Sequence, residues 1–246
     1  MISWQRRYGW IFLLILSLLA NVALAWLGYK LYVADNTLRL DPLQLAVYPS
    51  TEPPKTKTRV VFFGDSRALS WPTPETDQLE FVNRGIGQQT SAQIQLRFDQ
   101  HVKPLQADWL VLQLGINDLK AIPLLSNQRD HIVKQYQHNL KTIIEQAQQS
   151  GSKVLITTIF PLGKVPVERQ LFWSEEVANA VDEANSYIFS LKSQNVYVLD
   201  TYHLLLGDKP QLIRPEYSRD LLHLNAEGYK RLNKALMEFF RENNKS

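Results

Sequence analysis

Five short apolar segments, each about as long as a strand, alternate with helical patterns after residue 58. The apolar segments span residues 59–65, 79–84, 108–115, 153–160 and 195–200. Helical periodicity covers residues 91–102, 130–149 and 175–191, and a last helix is expected from Asn225, a good N-cap residue. Apolar strands that alternate with helices are typical of a parallel sheet with both faces covered. We therefore predict a three-layer α/β/α sandwich around a five-stranded parallel sheet.

The N-terminal region has the composition of a membrane-spanning helix. Residues 10–27 form an apolar run that only Ser17 and Asn21 interrupt. As a helix this run would be about 27 Å long, close to the roughly 30 Å of a bilayer core. Arg6 and Arg7 precede it, which favours a cytoplasmic N-terminus and export of the residues that follow. We predict a signal anchor that holds a periplasmic or extracellular domain on the membrane.

Two alternatives to an uncleaved anchor stay open. Residues 23–25 (Ala-Leu-Ala) resemble a small-x-small cleavage site, so a cleaved and secreted form is the main alternative. The apolar run continues past this site through Trp26 and Leu27, which favours the anchor. A buried core helix is the third interpretation of the same residues.

Residues 34–58 are rich in proline and lack helical or strand periodicity, so they predict a linker. The expected organisation is an anchor over residues 1–33, a linker over 34–58 and one domain over 59–246. No internal repeat divides that domain further.

The composition excludes several classes of protein. Without any cysteine the chain has no disulfide framework, thiolate metal site or cysteine nucleophile. Its net charge of +3 is small and its charged residues are interspersed, so we expect no nucleic-acid partner. His131 and His138 lack further ligands, and the pair Gly85 and Gly87 lacks the third glycine of a dinucleotide site. We therefore expect neither a metal nor a cofactor.

Four polar fragments stand at the ends of predicted strands or just before the last helix. They are Gly64-Asp65-Ser66, Asn83–Gln88, Gly115–Asp118 and Asp220–His223. In open parallel sheets the chemistry lies beyond the carboxyl ends of the strands. A serine on a tight turn, a histidine and a carboxylate are the parts of an acyl-transfer site. Oxyanion donors would be the Ser66 backbone N–H, an N–H of the glycine fragment and the Asn117 amide.

In this order the four fragments resemble the sequence blocks of the SGNH (GDSL-type) hydrolase family, over residues 59–242. The resemblance implies a flavodoxin-like fold and an acyl-serine mechanism. It assigns Ser66 as nucleophile, His223 as general base, Asp220 as the residue that orients His223, and Asn117 as a side-chain oxyanion donor. Residues 223–229 also look like the family's block that leads into the last helix.

The chain departs from the family pattern at two positions. Gln88 aligns with the family's oxyanion glycine, and its backbone N–H could still donate if the backbone there accommodates a side chain. Arg67 follows the serine where the family has an apolar residue, and we expect it to alter the edge of the pocket. A second pair, Asp200 and His203, has the same spacing as Asp220 and His223, but it follows a strand instead of preceding the last helix.

These features predict an exported serine esterase that hydrolyses acyl or acetyl esters of lipids or glycans. An O-acyltransferase that uses the same residues is one alternative, and a non-catalytic binding module on the same fold is another. The loops over residues 161–174 and 203–219 are long, and they predict pocket walls or a lid, with irregular surface as the alternative.

Overall fold

The computed structural model describes residues 4–49 and 54–243. The chain divides into two compact units, one that ends at Gln44 and one that begins at Leu45. Of the residues described, one helix is long and apolar enough to span a membrane, over Tyr8–Leu40. None of its most apolar part is buried within the protein. This helix is therefore a candidate transmembrane segment, in agreement with the prediction for this region.

Helix α1 (Trp4–Leu40) is longer than the predicted anchor. Its 37 residues give a length of about 55 Å, well beyond the thickness of a bilayer core. The helix continues through residues 34–40, which belong to the predicted linker, and it ends just before Asp41 and Pro42. A residue before proline is disfavoured in the helical conformation, so Pro42 accounts for the end. The predicted boundary after residue 33 therefore falls inside a helix.

The second unit contains a five-stranded sheet in the order β2-β1-β3-β4-β5. All neighbouring strands are parallel. The strands are β1 (Thr58–Gly64), β2 (Leu79–Gly85), β3 (Trp109–Gln113), β4 (Lys153–Thr157) and β5 (Val196–Leu199). Gly64 is in register with Gly85 on one side and with Gln113 on the other. The first three strands thus end together at one edge of the sheet.

The helices of this unit are α2 (Ser66–Leu69), α3 (Ser91–Leu96), α4 (Phe98–His101), α5 (Ile116–Leu119), α6 (Arg129–Gln149), α7 (Glu176–Ser190), α8 (Thr201–Leu205) and α9 (Ala226–Asn243). The helix predicted over residues 91–102 is two short helices that meet at Arg97. The longer helices α6, α7 and α9 each begin within two residues of the predicted start.

Alternating strand residues pack into two separate apolar cores, one on each face of the sheet. Val61 and Phe63 of β1 join the core formed with α3, α4, α6 and α7. Val60 and Phe62 join the core formed with α9. Since successive side chains of a strand point to opposite faces, helices cover both sides. The predicted three-layer α/β/α sandwich is confirmed.

The second unit begins within the predicted linker. Residues 45–48, which include a short 3-10 helix over Leu45–Val47, belong to the same compact unit as the sheet. Lys55 also contacts the domain through Asp108, at 2.6 Å. The stretch before β1 is thus partly packed on the domain, whereas its composition predicts a tether.

Candidate active site

The first strand delivers Ser66 to the carboxyl edge of the sheet on a tight turn. A Cβ atom on Gly64 would lie 1.8 Å from a carbonyl oxygen of β3, so only glycine lets the two strands meet there. Asp65 then caps α2, because its Oδ1 accepts a hydrogen bond from the backbone N–H of Arg67 at 2.8 Å. Ser66 is the first residue of α2, and it is half-buried.

Asp220 and His223 lie on one loop ahead of α9, which we call the histidine loop (residues 218–224). Asp220 Oδ1 accepts hydrogen bonds from the backbone N–H groups of Leu222 at 2.8 Å and of His223 at 2.9 Å. Both carboxylate oxygens lie 3.0 Å from Nδ1 of His223. The i, i+3 spacing therefore brings carboxylate and imidazole together within the loop.

Ser66 and His223 meet although 157 positions of sequence separate them. Ser66 Oγ lies 2.9 Å from Nε2 of His223. An ionised carboxylate can only accept hydrogen bonds, so Nδ1 beside Asp220 carries the imidazole proton and Nε2 is the acceptor. The Ser66 hydroxyl then donates to Nε2. One chain of hydrogen bonds thus runs from the hydroxyl to the carboxylate.

The surroundings of His223 and Asp220 set the protonation states of these two side chains. Burial lowers the pKa of His223 below its ordinary value, and the hydrogen bond and charge of Asp220 oppose that effect. Burial alone would raise the pKa of Asp220, but hydrogen bonds from the backbone of Leu222 and His223 and from the imidazole outweigh it and lower the pKa to about 2. Near neutral pH the imidazole is neutral beside an ionised carboxylate, as a general base requires.

The segment that begins with the last residue of β2, which we call the glycine loop (Gly85–Gln89), lies beside Ser66. A Cβ atom on Gly87 would lie 3.9 Å from Cβ of Ser66. The buried side chain of Asn117, in α5, donates from Nδ2 to the carbonyl oxygen of Gln89 at 3.0 Å. An amide nitrogen carries two hydrogens, so that bond leaves Asn117 a second donor. The loop, Asn117 and Ser66 thus gather at one edge of the sheet.

Gln88 adopts a backbone conformation that favours glycine. Its φ is +65°, in the left-handed region, where a residue with a side chain costs roughly 1–2 kcal/mol. Its side chain is exposed, so nothing crowds it sterically. Gln88 is therefore accommodated at this position, in the left-handed backbone conformation that glycine adopts without strain.

Arg67 lies beneath the site and not at the edge of a pocket, which corrects the expectation from sequence. Its side chain is 1% exposed, and its guanidinium lies 5.0 Å from the ring centre of Phe160. Its Nε donates to the carbonyl oxygen of Leu222 at 2.8 Å. This bond links the histidine loop to the turn on which Ser66 lies. Burial lowers the pKa of Arg67 to about 10, which leaves it charged near neutral pH.

Sequence reasoning missed a buried network behind Asn117. Asp118 accepts hydrogen bonds from Ser91, at 2.9 Å from its backbone N–H and at 2.6 Å from its hydroxyl. Asn139 of α6 donates in turn to the Ser91 hydroxyl at 2.9 Å. Burial raises the pKa of Asp118 to about 6. The network fixes α3 and α6 against α5, and the one available signal was the position of Asp118 next to Asn117.

The second pair of the same spacing is also assembled, but without a nucleophile. His203 Nδ1 lies 2.7 Å from Asp200 Oδ2, and the His203 side chain is 66% exposed. Within residues 4–49 and 54–243, neither histidine nitrogen of this pair bonds to a hydroxyl, and no cluster of three metal-ligating side chains occurs. The side chains of His131 and His138 lie on α6 and are exposed.

The two long loops line separate clefts near this edge. A cleft of about 680 Å³ is lined from both loops, by Lys164, Leu212, Ile213 and Ser218 among others. A second cleft of about 490 Å³ is bordered by Phe172 and Trp173. Neither of these two clefts has Ser66 or His223 in its wall. The two loops thus line clefts, and their role as walls of the substrate pocket stays a prediction.

Comparison with known proteins gives a family and a fold. Residues 60–231 match the GDSL-like Lipase/Acylhydrolase family. The chain is 29% identical over 135 residues to the uncharacterized lipoprotein YqeF of Bacillus subtilis (strain 168). That match covers 46% of this chain and 53% of the relative, so the chain spans about half the length of the curated protein it matches.

Solved structures share the fold over most of their length. A GDSL-like lipase from Bacteroides thetaiotaomicron VPI-5482 superposes with a TM-score of 0.60 at 21% identity, over 87% of this chain and 97% of that one. The acetyl xylan esterase AlAXEase superposes with a TM-score of 0.60 at 22% identity, over 73% of this chain and 98% of that one. At these identities the likeness concerns the fold.

Proposed function

We propose, from the premise that the chain belongs to the GDSL-like lipase/acylhydrolase family, that it is a serine esterase in which Ser66 is the nucleophile. The membership confirms the family resemblance found in the sequence, and it supports carboxylic ester hydrolysis. The roles of individual residues rest on geometry. The observation that carries them is the 2.9 Å contact between Ser66 Oγ and His223 Nε2, with Asp220 behind the imidazole.

In the first step Ser66 Oγ attacks the ester carbonyl carbon while its proton passes to Nε2 of His223. Asp220 stabilises the imidazolium that forms and keeps the ring in the required tautomer. The bond from carbon to the alcohol oxygen then breaks, and the imidazolium returns the proton to the leaving alcohol. This leaves an acyl-serine and a neutral His223.

In the second step water attacks the acyl-serine and gives its proton to the same imidazole nitrogen. The tetrahedral intermediate of each step carries a negative oxygen, which needs donors in place beforehand. The backbone N–H groups of Ser66 and Gln88 and the free amide hydrogen of Asn117 supply them in this proposal. The carboxylic acid then leaves, and Ser66 recovers its proton.

The proposed substrates are acyl or acetyl esters of lipids or glycans that lie outside the cytoplasm. The name of one structural neighbour, an acetyl xylan esterase, makes an acetylated glycan the first natural substrate to test. Export follows from the basic residues before the apolar run and is in keeping with the lipoprotein relative. An alkaline phosphatase fused after residue 49 should be active, and an inactive fusion would overturn the proposed topology.

The test uses the full chain, purified in detergent, on p-nitrophenyl esters from acetate to long-chain acyl groups. Ser66→Ala should lower kcat by at least about 10⁴-fold, as loss of a serine nucleophile does elsewhere. Ser190→Ala is the matched control, because Ser190 is exposed and its hydroxyl donates to the carbonyl oxygen of Tyr187 within α7. Wild-type rates in Ser66→Ala, or no ester hydrolysed by the wild type, would contradict the proposal.

A further inference from the structure

Residues 45–48, which we call the strap, lie against the base of the glycine loop. The Tyr48 hydroxyl donates a hydrogen bond to the carbonyl oxygen of Gly85. The Tyr48 ring is packed edge-on against His101, with 5.4 Å between ring centres, and the guanidinium of Arg84 lies 4.6 Å from its centre. The strap is thus held by its one aromatic residue, which is itself half-buried.

A buried histidine holds the other end of the strap. His101 Nε2 lies 3.1 Å from the carbonyl oxygen of Leu45, and its Nδ1 lies 3.2 Å from Nη1 of Arg97. A carbonyl only accepts and a guanidinium only donates, so the proton of His101 is on Nε2 and the ring is neutral. The strap is therefore bonded at both of its ends to groups of the domain.

The Gly85–Ile86 peptide unit is fixed on both of its sides. Its carbonyl oxygen accepts from Tyr48, and its N–H donates to the carbonyl oxygen of Gly64 at 3.1 Å. Arg97 donates to that same oxygen of Gly64 at 2.9 Å. Gly64 immediately precedes the turn that carries Ser66. One peptide unit therefore joins the strap, the glycine loop and the end of β1.

The glycine loop needs such a support because Gln88 is strained. A non-glycine residue at φ +65° is held there only when the surroundings determine its conformation. The peptide unit bonded to Tyr48 lies at the start of the loop that leads to Gln88. Without the bond from Tyr48, this peptide unit keeps only its bond to Gly64, and the start of the loop opposes the strain at Gln88 less firmly.

We infer that Tyr48 is a positioning residue, which orients the Gln88 N–H for the tetrahedral intermediate by fixing the Gly85 carbonyl. The segment that follows the candidate membrane helix is then part of the catalytic apparatus and not a passive tether. This inference rests on the proposed esterase function.

Burial keeps the Tyr48 phenol a hydrogen-bond donor at neutral pH. It raises the pKa of Tyr48 above its ordinary value, against the opposing charges of Arg97 and Arg84. The hydroxyl therefore keeps its proton over the pH range in which the esterase would be assayed. Replacing tyrosine with phenylalanine removes this donor and leaves the ring contacts in place.

The experiment compares Tyr48→Phe with Tyr187→Phe in the full chain, purified in detergent. Tyr187 also donates from its hydroxyl to a backbone carbonyl, that of Gln137 at 3.3 Å, but it does so between α6 and α7. Tyr48→Phe should lower kcat by roughly 10-fold with KM unchanged, a smaller loss than the 10²–10³ of removing an oxyanion donor outright. Tyr187→Phe should leave both constants at the wild-type value.

A second readout separates positioning from loss of stability. An alkyl boronic acid binds as a tetrahedral adduct, so its inhibition constant should rise in Tyr48→Phe by the same factor as kcat falls. His101→Leu keeps the Tyr48 hydroxyl and removes the bond from His101 to the Leu45 carbonyl oxygen. Its kcat should also fall, and it serves as the second variant if Tyr48→Phe does not fold. Thermal unfolding of each variant shows the folded fraction.

The possible failures are distinguishable. If Ser66→Ala retains activity, the proposed function fails. If hydrolysis depends on Ser66 but Tyr48→Phe keeps the kcat of Tyr187→Phe, only the role of Tyr48 fails. A rise in KM at constant kcat would also overturn that role, because a positioned oxyanion donor acts in the transition state.

Discussion

Two Asp-x-x-His pairs stand on the same domain, with almost the same local geometry. His203 Nδ1 lies 2.7 Å from its aspartate and His223 Nδ1 lies 3.0 Å from its own. In both pairs the aspartate also accepts the backbone N–H of the histidine, at 3.2 Å and 2.9 Å. By these contacts alone the pair at Asp200 is as well built as the pair at Asp220.

The pairs differ in what the outer face of the imidazole meets. His223 has a 22% exposed side chain and reaches the Ser66 hydroxyl, whereas the 66% exposed ring of His203 faces an open cleft with Arg231 and Glu238. Asp200 is also the N-cap of α8, so its contact with the N–H of His203 is a helix cap. The Asp-x-x-His spacing alone thus brings an aspartate and a histidine together. What distinguishes the two pairs is the Ser66 hydroxyl, which follows β1 and contacts only His223 of the two histidines.

The largest expected difference between the pairs is in the histidines. His223→Gln should lower kcat by roughly 10⁴-fold or more, because the general base is lost. His203→Gln should stay within twofold of wild type. Steady-state hydrolysis of a p-nitrophenyl ester measures both variants, and equal losses in the two would remove the distinction.

Substitution of the two aspartates should give a smaller difference in kcat than substitution of the two histidines. Asp220→Asn leaves the loop's shape but favours the wrong imidazole tautomer, a change that costs about 10⁴-fold in serine proteases. We expect a smaller loss here, of about 10²–10³-fold, because Asp220 is half exposed to solvent, which screens its charge. Asp200→Asn, assayed for kcat and for thermal unfolding, should leave kcat within twofold of wild type and change stability by less than about 1 kcal/mol, because asparagine caps a helix about as well as aspartate. A matching drop in kcat for Asp200→Asn would contradict the account.

The pH dependence should shift with Arg67. Neutral His223 is the active form, so kcat/KM should fall on acidification, with a midpoint below the ordinary histidine value of about 6.5 because burial lowers this pKa. The hydrogen bond and charge of Asp220 raise this pKa, and the charges of Arg219 and Arg67 lower it further. Arg67→Met should therefore move the acid limb to higher pH.

Arg219→Gln is the control for that shift. The charge of Arg219 also lowers the pKa of His223, but its side chain is 53% exposed, so added salt should screen that charge: the shift of the acid limb in Arg219→Gln should shrink with ionic strength, and the shift in Arg67→Met should persist. A profile of kcat/KM against pH for the three proteins gives the midpoints. An unchanged limb in Arg67→Met would show that the buried guanidinium acts only on structure.

The smallest expected effect is at Gln88. Gln88→Gly relieves roughly 1–2 kcal/mol of left-handed strain at a cost of about 0.4–1 kcal/mol in chain entropy, so stability should rise by about 1 kcal/mol or less. Because the backbone N–H is kept, kcat should stay within twofold. Gln106→Gly is the control, since its φ is +49° and it lies at the end of a 3-10 helix away from Ser66. A tenfold fall in kcat for Gln88→Gly alone would assign a role to the glutamine side chain.

The sheet was predictable because its signal is local. Each strand is a short apolar run that ends in glycine, proline or a polar residue, and parallel pairing follows from the alternation with helices. Ser66, Asn117 and the histidine loop could be placed at one edge because such sheets gather their strand ends there. The end of α1 at Leu40 was missed, because the prolines that follow led us to begin the linker at residue 34.

The supports of the site could not be predicted, because each joins residues distant in sequence. The sequence around Arg67 does not indicate that its side chain is buried and bonded to Leu222, which lies 155 positions later in the chain. Tyr48 stands in a proline-rich stretch, and only the folded chain shows its contact with Gly85. The same holds for the bond between Ser91 and Asp118. Local patterns thus predicted which polar side chains meet at this edge, and tertiary contacts decide how they are held.

Covalent labelling with an alkyl fluorophosphonate tests the central claim most directly. The reagent should form a bond from Ser66 Oγ to phosphorus with loss of fluoride, and the label should appear on tryptic peptide 60–67, whose one hydroxyl-bearing residue is Ser66. Ser66→Ala should remain unlabelled, His223→Gln should react far more slowly, and His203→Gln should react like the wild type. Label on another residue, or equal rates in the two histidine variants, would contradict the account.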